Sequence, residues 1–208
     1  YLKIAEGCSR KCTYCIIPRL RGKHRSRHLA DVVSEAGRLI SNGVKELNLV
    51  AQDTTSWGRD FSPPRHVSEL LDSLSTVSNS GIWIRMLYGH PNMIDERLIR
   101  TMSNSCGVLP YFDIPVQHAS SRMLRRMGRK NSPDELYNLF AKIRKLSPEA
   151  VLRTTLIVGF PGETRDDVEK LLAFIREVRF DNLGVFPYSD ADDLVSHRLS
   201  GHVDISEA

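Results

Sequence analysis

The sequence predicts an α/β fold in which parallel strands curl into part of a barrel. Three observations carry that expectation. Short β-rich runs alternate with stretches of helical period, giving six strand–helix units in order. The units follow one another with no internal repeat, linker or low-complexity segment. Each strand runs into a polar or Gly/Pro cluster at the same end. Strand–helix units with right-handed crossovers form a partial TIM-like (βα)6 barrel or an open doubly wound sheet. The strict order favours the barrel.

The units read as follows. Tyr1–Glu6 is a strand. His28–Asn42 places Leu29, Val32, Val33, Ala36, Leu39 and Ile40 at helical spacing, and Gly43 stands where a helix C-terminus is capped. Lys45–Val50 is the second strand, followed by a Pro-containing loop and a helix over Val67–Val77. Ile82–Leu87 is the third strand and Ile94–Met102 a short helix. Tyr111–Val116 is the fourth strand, weakened by Pro115. Ser120–Met127 is a helix closed by Gly128. Ser132-Pro133-Asp134-Glu135 combines an N-cap, Pro in the first turn and a capping-box Glu, ahead of a face of Leu136, Leu139, Phe140 and Ile143. Val151–Val158 is the fifth strand. Thr164 caps a helix that buries Val168, Leu171, Leu172 and Ile175. Leu183–Pro187 is the sixth strand, and the tail from Ser189 is polar and without pattern.

The chain has 208 residues, 41% hydrophobic and 26% charged, the balance of a globular protein with a core. One domain over 1–208 is expected, and an opening Tyr in mid-strand reads as a piece cut from a longer chain. No apolar run reaches the roughly 20 residues of a membrane span, and no leader is visible, so a cytoplasmic protein without membrane contact is expected. The net charge of +4 names no partner. Arg19, Arg21, Lys23, Arg25 and Arg27 alternate through one stretch, either a solvated edge or a positive rim facing an anionic partner. Three of the four cysteines crowd into eight residues, which is no disulfide framework and suits a reducing compartment.

Those three form the pattern C-x-x-x-C-x-x-C: Cys8, Cys12 and Cys15. Thiolates are soft ligands for iron–sulfur clusters or zinc. Full ligation of a cubane takes four cysteines, so three leave one iron open to bind a substrate. A zinc site that recruits His24 or His28 is the alternative, and would make the chain a zinc-stabilised α/β binding module. Cys106 stands alone and reads as a small buried apolar residue. In barrels of this kind the chemistry lies at the C-terminal strand ends. There the sequence places Cys8, Gln52-Asp53-Thr54-Thr55, His90-Pro91, Gln117-His118, Gly159-Phe160-Pro161-Gly162-Glu163 and Ser189-Asp190.

Cys-x-x-x-Cys-x-x-Cys after a first strand resembles the radical S-adenosylmethionine superfamily. Glu6-Gly7-Cys8 through Cys15-Ile16-Ile17-Pro18, Arg21-Gly22 and Ile157–Thr164 resemble its methylthiotransferases. Gln52-Asp53-Thr54-Thr55 and Asp113–Ser120 resemble the branch that modifies an aspartate of small-subunit ribosomal protein twelve. The transfer RNA branch, which methylthiolates adenosine, typically carries Gln-Asn and Gln-Ser-Gly at those places. The likeness covers about residues 1–188. Beyond Tyr188-Ser189 the chain has Asp190-Ala191-Asp192-Asp193-Leu194 in place of the family's acidic pair, Gly and Thr.

The resemblance implies a 4Fe–4S cluster on Cys8, Cys12 and Cys15, with S-adenosylmethionine on the open iron. One electron, from a reductant such as flavodoxin or ferredoxin, would release a 5′-deoxyadenosyl radical. That radical takes a hydrogen from the aspartate β-carbon, where a methylthio group is then installed. It also implies a second 4Fe–4S cluster in an N-terminal domain and a C-terminal substrate-binding domain, neither present in these 208 residues. The fragment is therefore expected to be incomplete for the full reaction, and monomeric. Candidate cofactor contacts are Tyr14, Gln52, Gln117, Arg153, Gly159 and Gly162. Each has a plainer reading. Tyr14 stacks near adenine or packs over the cluster; Arg153 meets the cofactor carboxylate or faces solvent; Gly159 and Gly162 touch cofactor or serve a tight turn. Gln117 and His118 are contacts or rim hydrogen bonds. Glu163 is either a ribose contact of the cofactor or part of the cap before the next helix, the cap being preferred, and His90 reads as structural.

Overall fold

The computed structural model describes residues 1–78 and 81–203; the last residues of the expected domain lie outside that range. The strands are β1 (Leu2–Lys3), β2 (Ala5–Glu6), β3 (Arg25–Ser26), β4 (Glu46–Val50), β5 (Trp83–Met86), β6 (Tyr111–Asp113), β7 (Val151–Val158) and β8 (Asn182–Pro187). The helices are α1 (Ile17–Arg21), α2 (Leu29–Ser41), α3 (Val67–Ser78), α4 (Glu96–Asn104), α5 (Ser121–Arg126), α6 (Pro133–Leu146) and α7 (Arg165–Val178).

Parallel ladders run β1-β4-β5 and β6-β7-β8. A bridge between Ile84 and Val108 and a bond from Gly89 N–H to the Asp113 carbonyl join them at β5 and β6. The strand order is therefore sequential, which a doubly wound sheet is not. Among the described residues β8 forms no pair with β1, so the barrel is partial and open. Helices α2, α3, α4, α6 and α7 pack each on the next around the outside. Beneath them lie Leu47, Leu49, Ile84, Phe112, Leu152 and Leu156, all nearly inaccessible.

The first expected strand divides at Ile4. Its N–H donates to the Val50 carbonyl, while its carbonyl accepts from Arg27 N–H. The chain changes partner there, and β2 turns antiparallel against β3. The fourth strand ends at Asp113 because Pro115 has no donor for the ladder. The chain stays beside β7 through Gln117, whose φ of 72° is left-handed. Helix α4 starts at Glu96, not Ile94, because the Asp95 carboxylate caps Leu98 N–H at 2.8 Å. The Ser132–Glu135 capping box forms, and Thr164 forms one with Asp167. On α7 the buried apolar residues are Leu171 and Phe174, while Leu172 faces outward at 38% exposure. Cys106 is exposed, because it precedes the turn at Gly107 rather than sitting on a core face. The tail is not patternless: Val195–Arg198 form a 3-10 turn with Ser196 buried. Among the described residues no helix is long and apolar enough to cross a membrane.

Candidate metal and cofactor site

The cysteine loop leaves β2 through Gly7, whose φ of 79° and contact with the Lys23 carbonyl leave no room for a side chain. Cys8 N–H donates to the Gly22 carbonyl at 3.0 Å. The far end of the loop caps α5. Thr13 N–H donates to the Met127 carbonyl at 3.1 Å, and the Thr13 hydroxyl to that of Arg126 at 2.8 Å. These carbonyls would otherwise end the helix unpaired. Gly128, with φ of 72°, lets the helix end lie directly on the loop. The tail closes the other side, with Ser196 N–H on the Thr13 carbonyl at 3.0 Å and Arg19 paired to Asp193.

Cys8, Cys12 and Cys15 line one cavity of about 210 Å³ at the C-terminal strand ends. All three are free. Cys8 is nearly buried, and its sulfur accepts the Arg10 N–H. Burial raises the thiol pKa values of Cys8 and Cys15. Beside them Arg10 is paired with Asp53 at 2.9 Å. Burial pushes the Asp53 carboxyl up, but the Thr55 hydroxyl, the Arg10 charge and the Ser56 hydroxyl outweigh it and hold it below its usual range. His90 keeps its ring neutral: burial first, then Arg129 and Arg10, lower its pKa to about 3 against the pull of Asp53. Tyr14 sits edge-on to Phe160, and burial raises its hydroxyl pKa despite Arg129.

Six of the nine expected residues share this cavity: the three cysteines, Tyr14, Gln52 and Gln117. The other three do not line it. Arg153 lies on the strand face opposite Leu152 and Leu156, where Asp113 takes its guanidinium at 2.6 Å. Gly159 N–H donates to Glu163 Oε2 at 2.6 Å. Gly162 adopts a φ of 81° against the Arg126 guanidinium and the tail at Gly201. Glu163 is no helix cap; its other oxygen takes the buried His118 Nε2–H at 3.0 Å, because His118 Nδ1 accepts the Ala119 and Ser120 amides. Arg10 and Arg129 line the cavity without having been singled out; Asp53, placed at a strand end by the sequence, lines it too, and so does His90, whose Nδ1 also accepts the Asn92 N–H. The basic stretch is partly neutralised, with Arg21 near Glu6 and Arg27 on Glu35 at 2.7 Å.

The donor set suits a cluster. Three soft thiols face one space, and Gln52 Oε1 is a buried acceptor without a partner on the same wall. Among the described residues no three His, Cys, Asp or Glu side chains are gathered tightly enough for a single ion. A cubane takes each thiolate on a different iron, and so tolerates wider spacing than zinc. Neither histidine considered for zinc lines the cysteine cavity, although among the described residues His24 Nδ1 is buried without a partner. His24 meets Ser26 Oγ at 3.2 Å, and the His28 ring stacks on Phe61.

Residues 2–175 match the family model of the Radical SAM superfamily. A protein of Desulfosudis oleivorans named ribosomal protein uS12 methylthiotransferase RimO is 57% identical over 98% of this chain and 46% of its own length. The protein of that name from Clostridioides difficile is 48% identical over 98% of this chain and 46% of its own. The chain thus spans about half the length of the curated relatives it matches. Among solved structures, the Escherichia coli radical SAM enzyme coproporphyrinogen III oxidase (HemN) aligns with a TM-score of 0.66 at 18% identity, over 98% of this chain and 46% of that one. The methylornithine synthase PylB aligns at 0.68 and 11% identity, over 99% and 58%. At such identities these two show the fold.

Proposed function

Because the chain belongs to the radical S-adenosylmethionine superfamily, we propose that it is the catalytic core of a methylthiotransferase acting on an aspartate of ribosomal protein uS12. The cavity carries the reading: three free thiols meet at the strand ends beside an unpartnered acceptor. The choice of substrate is supported by likeness over nearly the whole chain to proteins named for uS12.

Cys8, Cys12 and Cys15 hold the cluster. A 4Fe–4S cluster held by these three thiolates would supply the electron that opens S-adenosylmethionine for hydrogen abstraction. Gln52 would offer its free acceptor to an N–H of the cofactor's amino group, and Gln117 and Tyr14 bound the same space. Arg10 is held by Asp53 and ties the cysteine loop to the residues that follow β4. Gly159, Gly162 and Arg153 act indirectly, through the β7–α7 turn and the Asp113 pair. A flavodoxin or ferredoxin is the reductant. A second cluster and a substrate-binding domain are proposed for the part of the relatives' length that this chain does not span.

Mass spectrometry of uS12 and of bulk transfer RNA from a strain lacking the gene tests this. Loss of the methylthio group from uS12 alone is expected. Its loss from the RNA alone would overturn the substrate. Anaerobic reconstitution that returned zinc without iron and sulfide would overturn the chemistry.

A further inference from the structure

Among the described residues, three other than glycine hold a left-handed backbone: Tyr88 at a φ of 59°, Gln117 at 72° and Arg179 at 53°. Arg179 closes α7, where a left-handed turn is ordinary. Tyr88 and Gln117 both line the cysteine cavity. For a bulky side chain this backbone is strained, and strain of that kind gathers at functional sites.

Hydrogen bonds fasten Tyr88 from both sides. Its N–H donates to Asp113 Oδ2 at 3.0 Å, and its carbonyl accepts the Thr54 N–H and hydroxyl, each at 3.2 Å. The N–H of Gly89, the next residue, donates to the Asp113 carbonyl at 2.8 Å. These bonds use only main-chain atoms of this turn, so a glycine in place of Tyr88 would meet them without strain. The ring returns little to the fold. It is 47% exposed and lies outside both apolar cores. Among the described residues its hydroxyl has no partner.

The ring's position gives it a use. It lines the cysteine cavity and also an outer hollow of about 300 Å³ walled by Ile17 and Ala51. Cys8, Cys15 and Gln52 line both spaces as well, so Tyr88 stands where the two adjoin.

We propose that Tyr88 is a contact for the protein substrate: its ring walls the passage by which the aspartate-bearing segment reaches the cysteines, and its hydroxyl donates to that segment. The assignment rests on the functional reading given above. A peptide entering there offers carbonyl and carboxylate acceptors to the phenol and apolar atoms to its face, a pairing that suits tyrosine at interfaces. A glycine would relax the backbone and offer neither.

Titration of the full-length protein, reconstituted and loaded with S-adenosylmethionine, with purified uS12 tests this, together with urea unfolding of the metal-free protein. Tyr88→Gly should weaken uS12 binding by on the order of tenfold and leave S-adenosylmethionine affinity unchanged. Its urea midpoint should equal or exceed that of the unaltered protein, because the left-handed strain is relieved. Tyr88→Phe, which keeps the ring, should lose only part of the uS12 affinity. Unchanged uS12 binding by Tyr88→Gly would overturn the assignment. So would a lowered urea midpoint, which would return the ring to a structural role, or a loss confined to S-adenosylmethionine, which would give it to the cofactor. If the unaltered protein does not bind uS12, the functional reading falls, and the contact with it.

Discussion

Two glycines separate the cost of a left-handed backbone from the cost of crowding the cysteine loop. Gly43 closes α2 with a φ of 88°, and Gly128 follows α5 with a φ of 72°. A Cβ added at Gly43 meets nothing within 4 Å. At Gly128 it lies 2.6 Å from the Lys11 carbonyl oxygen and 3.5 Å from the Cys12 Cα. Gly43→Ala should therefore cost only the left-handed penalty, about 1–2 kcal/mol. Gly128→Ala carries that penalty and an overpacking cost of about 1–3 kcal/mol, because the atom in the way is backbone. The strain falls on the two bonds from Thr13 to the helix carbonyls. Urea unfolding of the metal-free chain measures both costs, and alkylation rates of Cys12 report on the loop. Only Gly128→Ala should speed alkylation. Equal destabilisation by the two substitutions, with Cys12 reactivity unchanged in both, would refute the close approach.

Cys12→Ala should abolish the brown colour and the iron content of the reconstituted chain, while Cys106→Ser, at an exposed position, leaves both intact; iron analysis decides. Burial raises the Asp167 carboxyl, but the Ser120 and Thr164 hydroxyls and Arg122 outweigh it and hold its pKa well below the ordinary value. The stability it contributes is complete above the unfolded value near about pH 4 and is lost as pH falls through the lower folded one. Asp167→Asn should thus cost about 1.5–3 kcal/mol at neutral pH, with the gap to the unaltered chain closing in acid, read by denaturant titration against pH. Glu163→Gln turns one of two acceptors toward an N–H donor, His118 or Gly159; a loss of about 1–3 kcal/mol by thermal unfolding is expected, with iron content unchanged.

Much of the frame is legible because its signals are local. The helix from Ser132 starts where the capping box says, and β4, β5 and β7 fall within a residue of the runs that announce them. The cysteines are legible because their spacing is contiguous. What is not legible is set by distance or by shortness. Arg10 and Asp53 are 43 residues apart, and Arg129 and Tyr14 are 115 apart, so no periodicity links them. Helix α1 has five residues and β3 two, too few to show a period. Arg153 illustrates a different failure. Alternation shows that it leaves the helix-covered face, but not that Asp113, from another strand, meets it before any ligand does.

The loop that carries the thiols has its shape set by the protein around it. Helix carbonyls, the Gly22 carbonyl and the tail's Ser196 hold its backbone. Ordering a free backbone costs about 1–2 kcal/mol per residue. Here that entropy is lost when the chain folds, so cluster insertion need not supply it. A cluster stripped by oxygen would leave its mould standing, and repair becomes a matter of delivering iron and sulfide to a seat already formed.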